Sequence, residues 1–462
     1  MLMTWFLSHL VLLLGFLLAV PVIAQMIRQR RSSAASLAWL LVMVLEPYVG
    51  IPLYLALGGR KMRQLADSKA TLTLDDHTPL PQETAEMDQL LRTYGIPSAS
   101  DGNHLRLCLT GEAGYAALTE MIEQAHHSLW VSAFILHPDA VGRDIIERFA
   151  RRAAAGVEVR VLLDGVGSLH TSKRALAPLT KAGGKVAFFL PVLHRPFRGR
   201  TNLRNHRKAI IADGCTVWGG GTNIATEYIG PIPEPERWRD LSFLLEGPAT
   251  RHYLDIFRSD WQFATGEQLS ELAGGSKGAL TPPGNATVQV VPSGPDVDDD
   301  PLYAVMVAAV FQARKRLRVV TPYFVPDETL AQALRLAAHR GVDVQVVVPA
   351  ISNHWLADMA RGPYLRDLQR AGGQVLLYQG GMLHAKALLA DDSLAVLGSA
   401  NFDMRSLFLN FETGLLVYSW EEIKEISEWI ETLAQSCRPG VGEVGVFRDI
   451  GEGVARMMAP IL

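Results

Sequence analysis

Cysteine is scarce in this chain. Of 462 residues only three are cysteine, Cys108, Cys215 and Cys437. An odd number at such wide spacing supports neither a disulfide framework nor a zinc site. A dominant charge is missing too: 44 Lys and Arg stand against 47 Asp and Glu, a formal net charge of −3. Without a global basic field, nucleic acid is not an expected partner. No group of carboxylates or histidines has metal-ligand spacing. The acidic run Asp296, Asp298, Asp299, Asp300 lacks the loop spacing and closing Glu of a calcium site, and reads as a solvated loop entering a helix. Neither a metal nor any other cofactor is expected.

What the chain does have is apolar content, 48% of its residues, and repetition. His206-Arg207-Lys208 and His384-Ala385-Lys386 open the same pattern twice. Asp213 and Asp391 follow, then Gly220-Gly221-Thr222-Asn223 and Gly398-Ser399-Ala400-Asn401. The shared unit is H-x-K-x4-D-x6-G-[GS]-x-N. A single H-x-K is worthless as evidence, and H-x-K-x4-D alone is a weak motif. Two copies, each leading into a short apolar run (Ala209-Ile210-Ile211-Ala212 and Ala387-Leu388-Leu389-Ala390), carry far more weight. The runs read as buried strands, and His and Lys two positions apart in extended chain share a face.

The flanks repeat as well. Tyr115-Ala116-Ala117 and Tyr303-Ala304-Val305 each open a helical run, and Gly156-Val157-Glu158-Val159 and Gly341-Val342-Asp343-Val344 each stop a helix and begin a strand. Downstream of each Asn an acid leads an apolar strand, at Asp240-Leu241 and at Glu412-Thr413. The order of elements predicts an α/β fold of two fused α/β-sandwich repeats related by a pseudo-twofold. The expected boundaries are 100–265 for the first repeat (motif 204–227), a Gly/Pro-rich linker at 266–285, and 286–462 for the second (motif 382–405).

A phosphodiester between two such motifs would meet two imidazoles, two ammoniums and two amides, the groups phosphoryl transfer requires. One neutral His attacks phosphorus, the other donates a proton to the leaving alkoxide, and Lys208, Lys386, Asn223 and Asn401 hold the non-bridging oxygens. An imidazole in either role needs its second nitrogen fixed by a partner, usually a carboxylate. Asp240 is expected to orient His206, and Glu412 to orient His384. Asp213 and Asp391 complete the catalytic motif, with anchoring of the motif loop as their expected work.

Residues 1–65 precede the duplication and form an expected membrane region, with segments at about 4–26 and 35–57. Trp5–Ile23 is apolar apart from Ser8 and His9, and Ala35–Leu57 is interrupted by Glu46-Pro47, Gly50 and Pro52. The first is long enough to span a bilayer; the second fits a kinked or re-entrant helix. Arg28, Arg30 and Arg31 between them and Arg60, Lys61 and Arg63 after them pull the positive-inside rule both ways. The first repeat also carries an insertion: 22 positions separate Gly184 from His206, against 11 between Gly373 and His384. Arg195, Arg198, Arg200 and Arg204 lie there among Phe188, Phe189 and Phe197. Cations interleaved with large apolar groups suit an anionic headgroup layer, and these four are the expected membrane contacts.

At its two H-x-K-x4-D motifs the sequence resembles the phospholipase D superfamily, and within it the bacterial cardiolipin synthases. Supporting pieces are Leu203-Arg204-Asn205-His206, Thr321-Pro322-Tyr323-Phe324-Val325-Pro326, Asn401-Phe402-Asp403-Met404-Arg405-Ser406 and the closing Val454–Leu462. The resemblance covers essentially the whole chain. It implies transfer of a phosphatidyl group between two phosphatidylglycerol molecules, giving cardiolipin and glycerol, in a multi-pass protein of the bacterial cytoplasmic membrane with its catalytic body on the cytoplasmic side. Gly221, where the second copy has Ser399, departs from the pattern of many members. Two alternatives stay open: a phospholipase D or a transferase with another acceptor, and a silent lipid-binding scaffold.

Overall fold

The computed structural model describes residues 13–24, 26, 33–57, 69–74, 85–191, 203–269 and 284–457. Arg195, Arg198 and Arg200, residues 1–12 and most of the expected linker lie outside these residues.

One sheet of fifteen strands organises the body. Its middle is a seam between β1 (Ser100–Cys108) and β8 (Ala286–Ser293), paired antiparallel. Outward from β1 run β7 (Ser242–Glu246), β6 (Thr216–Gly220), β5 (Ala209–Ala212), β2 (Ser128–Ala133), β3 (Glu158–Asp164) and β4 (Lys185–Phe189). Outward from β8 the same order recurs as β16 (Glu412–Val417), β14 (Leu394–Gly398), β13 (Ala387–Ala390), β9 (Arg316–Val320), β11 (Asp343–Pro349) and β12 (Gln374–Tyr378). The outer strands β2, β3 and β4 are parallel, as are β9, β11 and β12, while β5 and β13 run antiparallel to their neighbours. Such strands are buried on both faces, which is why their sequences are near-continuous Val, Ile and Leu rather than alternating.

Helices close both faces. On one side α8 (Thr250–Thr265) and α13 (Trp420–Gln435) cover a single core that runs through both repeats, from Trp130 and Phe257 to Leu415 and Ile426. On the other side each repeat has its own core. The first forms beneath α5 (Gly111–Gln124) and α6 (Ala140–Ala154), the second beneath α9 (Pro301–Gln312) and α10 (Glu328–His339). Matching helices start on matching caps: the Asp139 carboxylate accepts from Gly142 N–H at 2.9 Å and Asp327 from Leu330 N–H at 3.1 Å. A shared core across the seam makes the two repeats one folding body. Asn103 stitches the seam, donating to Ser100 and Ala286 carbonyls and accepting from Ala249 N–H.

Of the two expected N-terminal membrane segments, the first is described from residue 13 and the second throughout. Among the described residues no helix is long and apolar enough to cross a membrane. Helical residues 13–24 (α1) are followed by α2 (Ser33–Leu45) and α3 (Pro47–Leu57), with Glu46 and Pro47 breaking the second apolar segment. On a straight helix Trp39 and Tyr54 would stand about 22 Å apart. Their rings instead meet edge to face at 5.4 Å, so α2 and α3 fold back on each other. Gly50 permits this: a Cβ there would lie 2.6 Å from the Val42 carbonyl oxygen. Outward-facing side chains such as Leu13, Leu17, Leu37 and Leu45 remain exposed.

Candidate active site

Each H-x-K lies in an extended lead-in just upstream of its strand, β5 or β13, rather than within it. The lead-ins cross to the other repeat. His206 N–H donates to the Phe411 carbonyl at 2.9 Å, and Phe411 N–H to the Arg204 carbonyl at 2.9 Å. Reciprocally, His384 N–H donates to the Arg239 carbonyl at 2.7 Å, and Arg239 N–H to the Met382 carbonyl at 2.8 Å. Two short parallel bridges, Asn205 to Phe411 and Arg239 to Leu383, thus lay each histidine beside the acid-bearing chain of the opposite half.

That crossing overturns the expected partnership of acids and histidines. His206 Nδ1 lies 3.0 Å from both oxygens of Glu412, and His384 Nδ1 lies 2.6 Å from Asp240 Oδ2. Asp240 therefore lies against His384 and Glu412 against His206, the reverse of the assignment within each repeat. The four residues converge, but matched across the seam. Sequence order pairs each acid with the nearer motif; the bridging lead-ins are long-range contacts that linear spacing does not encode.

Nδ1–H donation to a carboxylate leaves Nε2 of each ring as the unprotonated, reactive nitrogen. Burial holds both rings neutral: the His206 pKa is lowered to about 4 and that of His384 to about 3, against the pull of their acids. Burial likewise lowers Lys208 to about 7 and Lys386 to about 8. Lys208 Nζ donates to the His206 carbonyl at 2.9 Å and lies 5.3 Å from the Phe134 ring centroid. Lys386 Nζ donates to the His384 carbonyl and sits 2.9 and 3.1 Å from the two nitrogens of its ring. Being near both, it lies over the ring face rather than along one lone pair. Asn223 and Asn401 occupy equivalent buried positions, each with an Oδ1 that has no hydrogen-bond partner. Buried amides that present an unsatisfied atom at matched places are what a ligand-facing pair looks like.

The two halves differ in how they hold their acids. Glu412 accepts from Ser399 Oγ and from Asn410 Nδ2 at 3.2 Å as well as facing His206. Asp240 accepts from Leu241 N–H at 2.8 Å, and where a serine would stand is Gly221. A Cβ on Gly221 would approach Asp240 Oδ1 to 2.7 Å and Lys386 Cδ to 3.0 Å, so a side chain at this position would crowd both groups. Aromatics wall both rings: Phe134 meets His206 edge-on at 4.7 Å, Tyr228 meets His384 at 5.0 Å, and Trp238 tilts against His384 at 5.7 Å. These were not legible in the sequence, because none belongs to the repeated unit.

The motif aspartates lie elsewhere. The Asp213 carboxylate accepts from the N–H groups of His126, His127 and Ser128, and that of Asp391 from Arg314, Lys315 and Arg316. Both have φ near +50°, 51° and 53°, at the turn between the motif strand and the next. Each ties that turn to the start of β2 or β9, and neither reaches the histidines. Their position is that of loop anchors, the work expected of them. Two further expectations change with burial. Arg204 is 4% exposed with Nη1 3.7 Å from Asp164 Oδ1, so it is no headgroup contact. Asp296 is not solvated: it pairs with Lys69 at 2.6 Å and with Arg207 at 3.0 Å. Asp260 completes this buried quartet, with Lys69 and, at 2.8 Å, Arg207. The residue between His206 and Lys208 is thereby clamped to both repeats and to the segment leading from the N-terminal helices. Among the described residues no group of His, Cys, Asp and Glu could hold a metal ion.

A family model described as "Cardiolipin synthase, PLD-like domain" matches residues 118–261 and 306–434, spans that contain both motifs. The chain belongs to the phospholipase D-like cardiolipin synthases. These are phosphatidyltransferases of the phospholipase D superfamily, and so is this enzyme. A second model, "Phospholipase_D-nuclease N-terminal", matches residues 17–59. The major cardiolipin synthase ClsA of Bacillus subtilis is 31% identical over 97% of this chain and 98% of its own. Cardiolipin synthase 1 of Bacillus anthracis is 31% identical over 87% of this chain and 83% of its own. Among solved structures, the phosphatidylserine synthase of Haemophilus influenzae covers 81% of this chain and 98% of its own, with a TM-score of 0.58 at 17% identity. It shares the duplicated fold.

Proposed function

We propose that this cardiolipin synthase relative transfers a phosphatidyl group between two phosphatidylglycerol molecules through a phosphatidyl-histidine intermediate. The observation that carries the reading is the pair of crossed imidazole–carboxylate contacts, His206 with Glu412 and His384 with Asp240. They present two Nε2 atoms beside two buried lysines. The bound phosphodiester anion favours the imidazolium, so His384 takes up a solvent proton on Nε2 as substrate enters. His206 Nε2 then attacks phosphorus, the P–O bond to the leaving glycerol breaks, and the proton on His384 Nε2 goes to that oxygen. A second phosphatidylglycerol then gives its hydroxyl proton to His384 Nε2 and attacks phosphorus. The P–N bond breaks and His206 is regenerated. Lys208, Lys386, Asn223 and Asn401 stabilise the charge on the non-bridging oxygens as it develops. No cofactor enters either step.

The work place proposed for the chain is the bacterial cytoplasmic membrane, with the catalytic body on the cytoplasmic side. The apolar N-terminal helices and the N-terminal family match support this. Phosphatidylglycerol of two distinguishable acyl compositions, incubated with the full chain, should yield mixed cardiolipin and glycerol by mass spectrometry. Phosphatidic acid as the sole product would replace the proposal with hydrolysis, and no turnover would leave a lipid-binding scaffold. Rapid acid-free quenching of labelled donor with the unaltered chain should capture label on His206, and the His206→Ala variant should capture none.

A further inference from the structure

The helix α14 (Val446–Met457) is built inside out. It packs on α11 (Trp355–Arg370) with a charged face: Glu452, 1% exposed, takes Arg366 at 2.7 Å and Arg448 at 2.9 Å. The face it turns outward is apolar. Phe447 is 93% exposed and Met457 81%, with Ile450 and Val454 between them and Val446 just before, all exposed. Positions 447, 450, 454 and 457 follow the three–four spacing that lines one side of a helix. A helix that seals a soluble body puts such a stripe inward; one that lies in a membrane interface puts it outward.

Where the helix sits gives the stripe meaning. Ala455 packs with Ala360 and with Val325 of β10 (Phe324–Val325). Strand β10 pairs with β15 (Phe402–Asp403), which directly follows Asn401 of the site. Two loops at equivalent strand ends expose large apolar groups near the same site. After β3, Val166 and Leu169 flank Ser168, whose hydroxyl donates to the carbonyl of Phe134, the residue against the His206 ring. After β11, Ile351 and Trp355 are 78% and 74% exposed. Between them Asn353 accepts from Tyr323 at 2.6 Å, and His354 meets the Tyr323 ring at 5.5 Å.

We infer that α14, together with the 166–169 and 351–355 loops, forms an in-plane docking surface that seats the site on a phospholipid bilayer at the headgroup–acyl boundary. The inference rests on the reading that the substrate is a membrane lipid. It commits to a bilayer because the apolar groups come from both repeats and three separate elements. A fluid lipid surface covers such scattered projections together, and the substrate must leave that surface to reach the histidines.

The test uses the full chain with Cys108, Cys215 and Cys437 replaced, reconstituted in phosphatidylglycerol/phosphatidylethanolamine bilayers. Nitroxides are placed at Phe447→Cys, Ile450→Cys and Val454→Cys, with Glu443→Cys as the aqueous reference. The first three should be relaxed mainly by oxygen, the reference mainly by a water-soluble nickel chelate. Equal nickel accessibility at all four positions overturns the inference. So does protection accompanied by spin–spin broadening, which assigns the face to a second copy. Phe447→Ser combined with Ile450→Ser should lower turnover of bilayer phosphatidylglycerol about tenfold, while turnover in detergent mixed micelles stays within about twofold. Equal loss in both also overturns it. Failure of the transferase reading would show instead as no turnover in the unaltered protein, with the nitroxide pattern untouched.

Discussion

His206 Nδ1 stands 3.0 Å from both carboxylate oxygens of Glu412, a residue 206 positions further along the chain and in the other repeat. The acid that fixes the tautomer of one histidine is therefore supplied by the half that carries the other. Glu412→Gln should lower kcat by about two to four orders of magnitude, as losses of the orienting carboxylate do elsewhere. A double-mutant cycle by kcat should show strong coupling between His206→Ala and Glu412→Gln. Coupling of His206→Ala with Asp240→Asn should be weaker. Equal coupling for both acids would contradict the crossed arrangement.

The pH dependence follows from burial. In the proposed mechanism the nucleophile must be neutral, and burial keeps His206 so above about 4. The lysines proposed to bind the oxyanion must be charged, and burial lowers Lys208 to about 7 and Lys386 to about 8. A group whose pKa is depressed by folding loses its charge earlier as pH rises, so kcat/KM should fall on the alkaline side from about 7. On the acid side it should fall towards 4. The limbs belong to the coupled set rather than to single residues. Lys208→Arg, with a cation that cannot titrate in this range, should move the alkaline limb upward in whatever activity it retains.

The same histidines set an acid limit on stability. Their unfolded pKa near 6.5 exceeds their folded values of about 4 and about 3. Their contribution is complete above 6.5 and is lost as pH falls through the folded values. Replacing both with Gln should flatten the decline of the denaturation midpoint between pH 6.5 and 3.

Gly221 and Ser399 should not be interchangeable. Gly221→Ser pushes Cβ towards Asp240 and Lys386, and kcat should drop while the melting temperature changes little. Ser399→Gly removes the hydroxyl that donates to Glu412 and should cost about 1–3 kcal/mol of transition-state stabilisation. If the two single variants match the parent in kcat, the asymmetry has no catalytic weight.

Lys69→Met leaves Asp260 and Asp296 with Arg207 as their remaining close cation in the quartet. Breaking a buried ion network in this way costs about 3–5 kcal/mol, read as a lowered denaturant midpoint. Asp213→Asn, by contrast, weakens a turn held by three backbone N–H groups. Stability should fall by about 1–2 kcal/mol, with kcat per folded molecule nearly unchanged.

Much of this was legible in the sequence, because a duplicated motif announces its own symmetry. The H-x-K pairs, the two asparagines and the two acids could be named from spacing alone, as could the alternation of strands and helices in each repeat. The partnership of acid with histidine could not, since it depends on the lead-ins before residues 206 and 384 crossing the seam. Arg204 and Asp296 were misread for a related reason. A charged residue in a polar stretch looks solvated until its partner, Asp164 or Lys69, arrives from a distant part of the chain. The break at Glu46 and Pro47 was visible as an interruption, but the fold-back of α3 on α2 depends on Gly50 admitting the Val42 carbonyl.

The seam between β1 and β8 has a consequence for how the two repeats can change. Each half owns a histidine whose carboxylate partner comes from the other half, and a carboxylate that faces the other half's histidine. Damage to Asp240 silences a histidine encoded nearly 150 codons downstream, and no repair inside that histidine's own repeat restores it. The duplicates are thus hostage to one another: free to diverge in insertions and rim loops, but obliged to keep each other's keys.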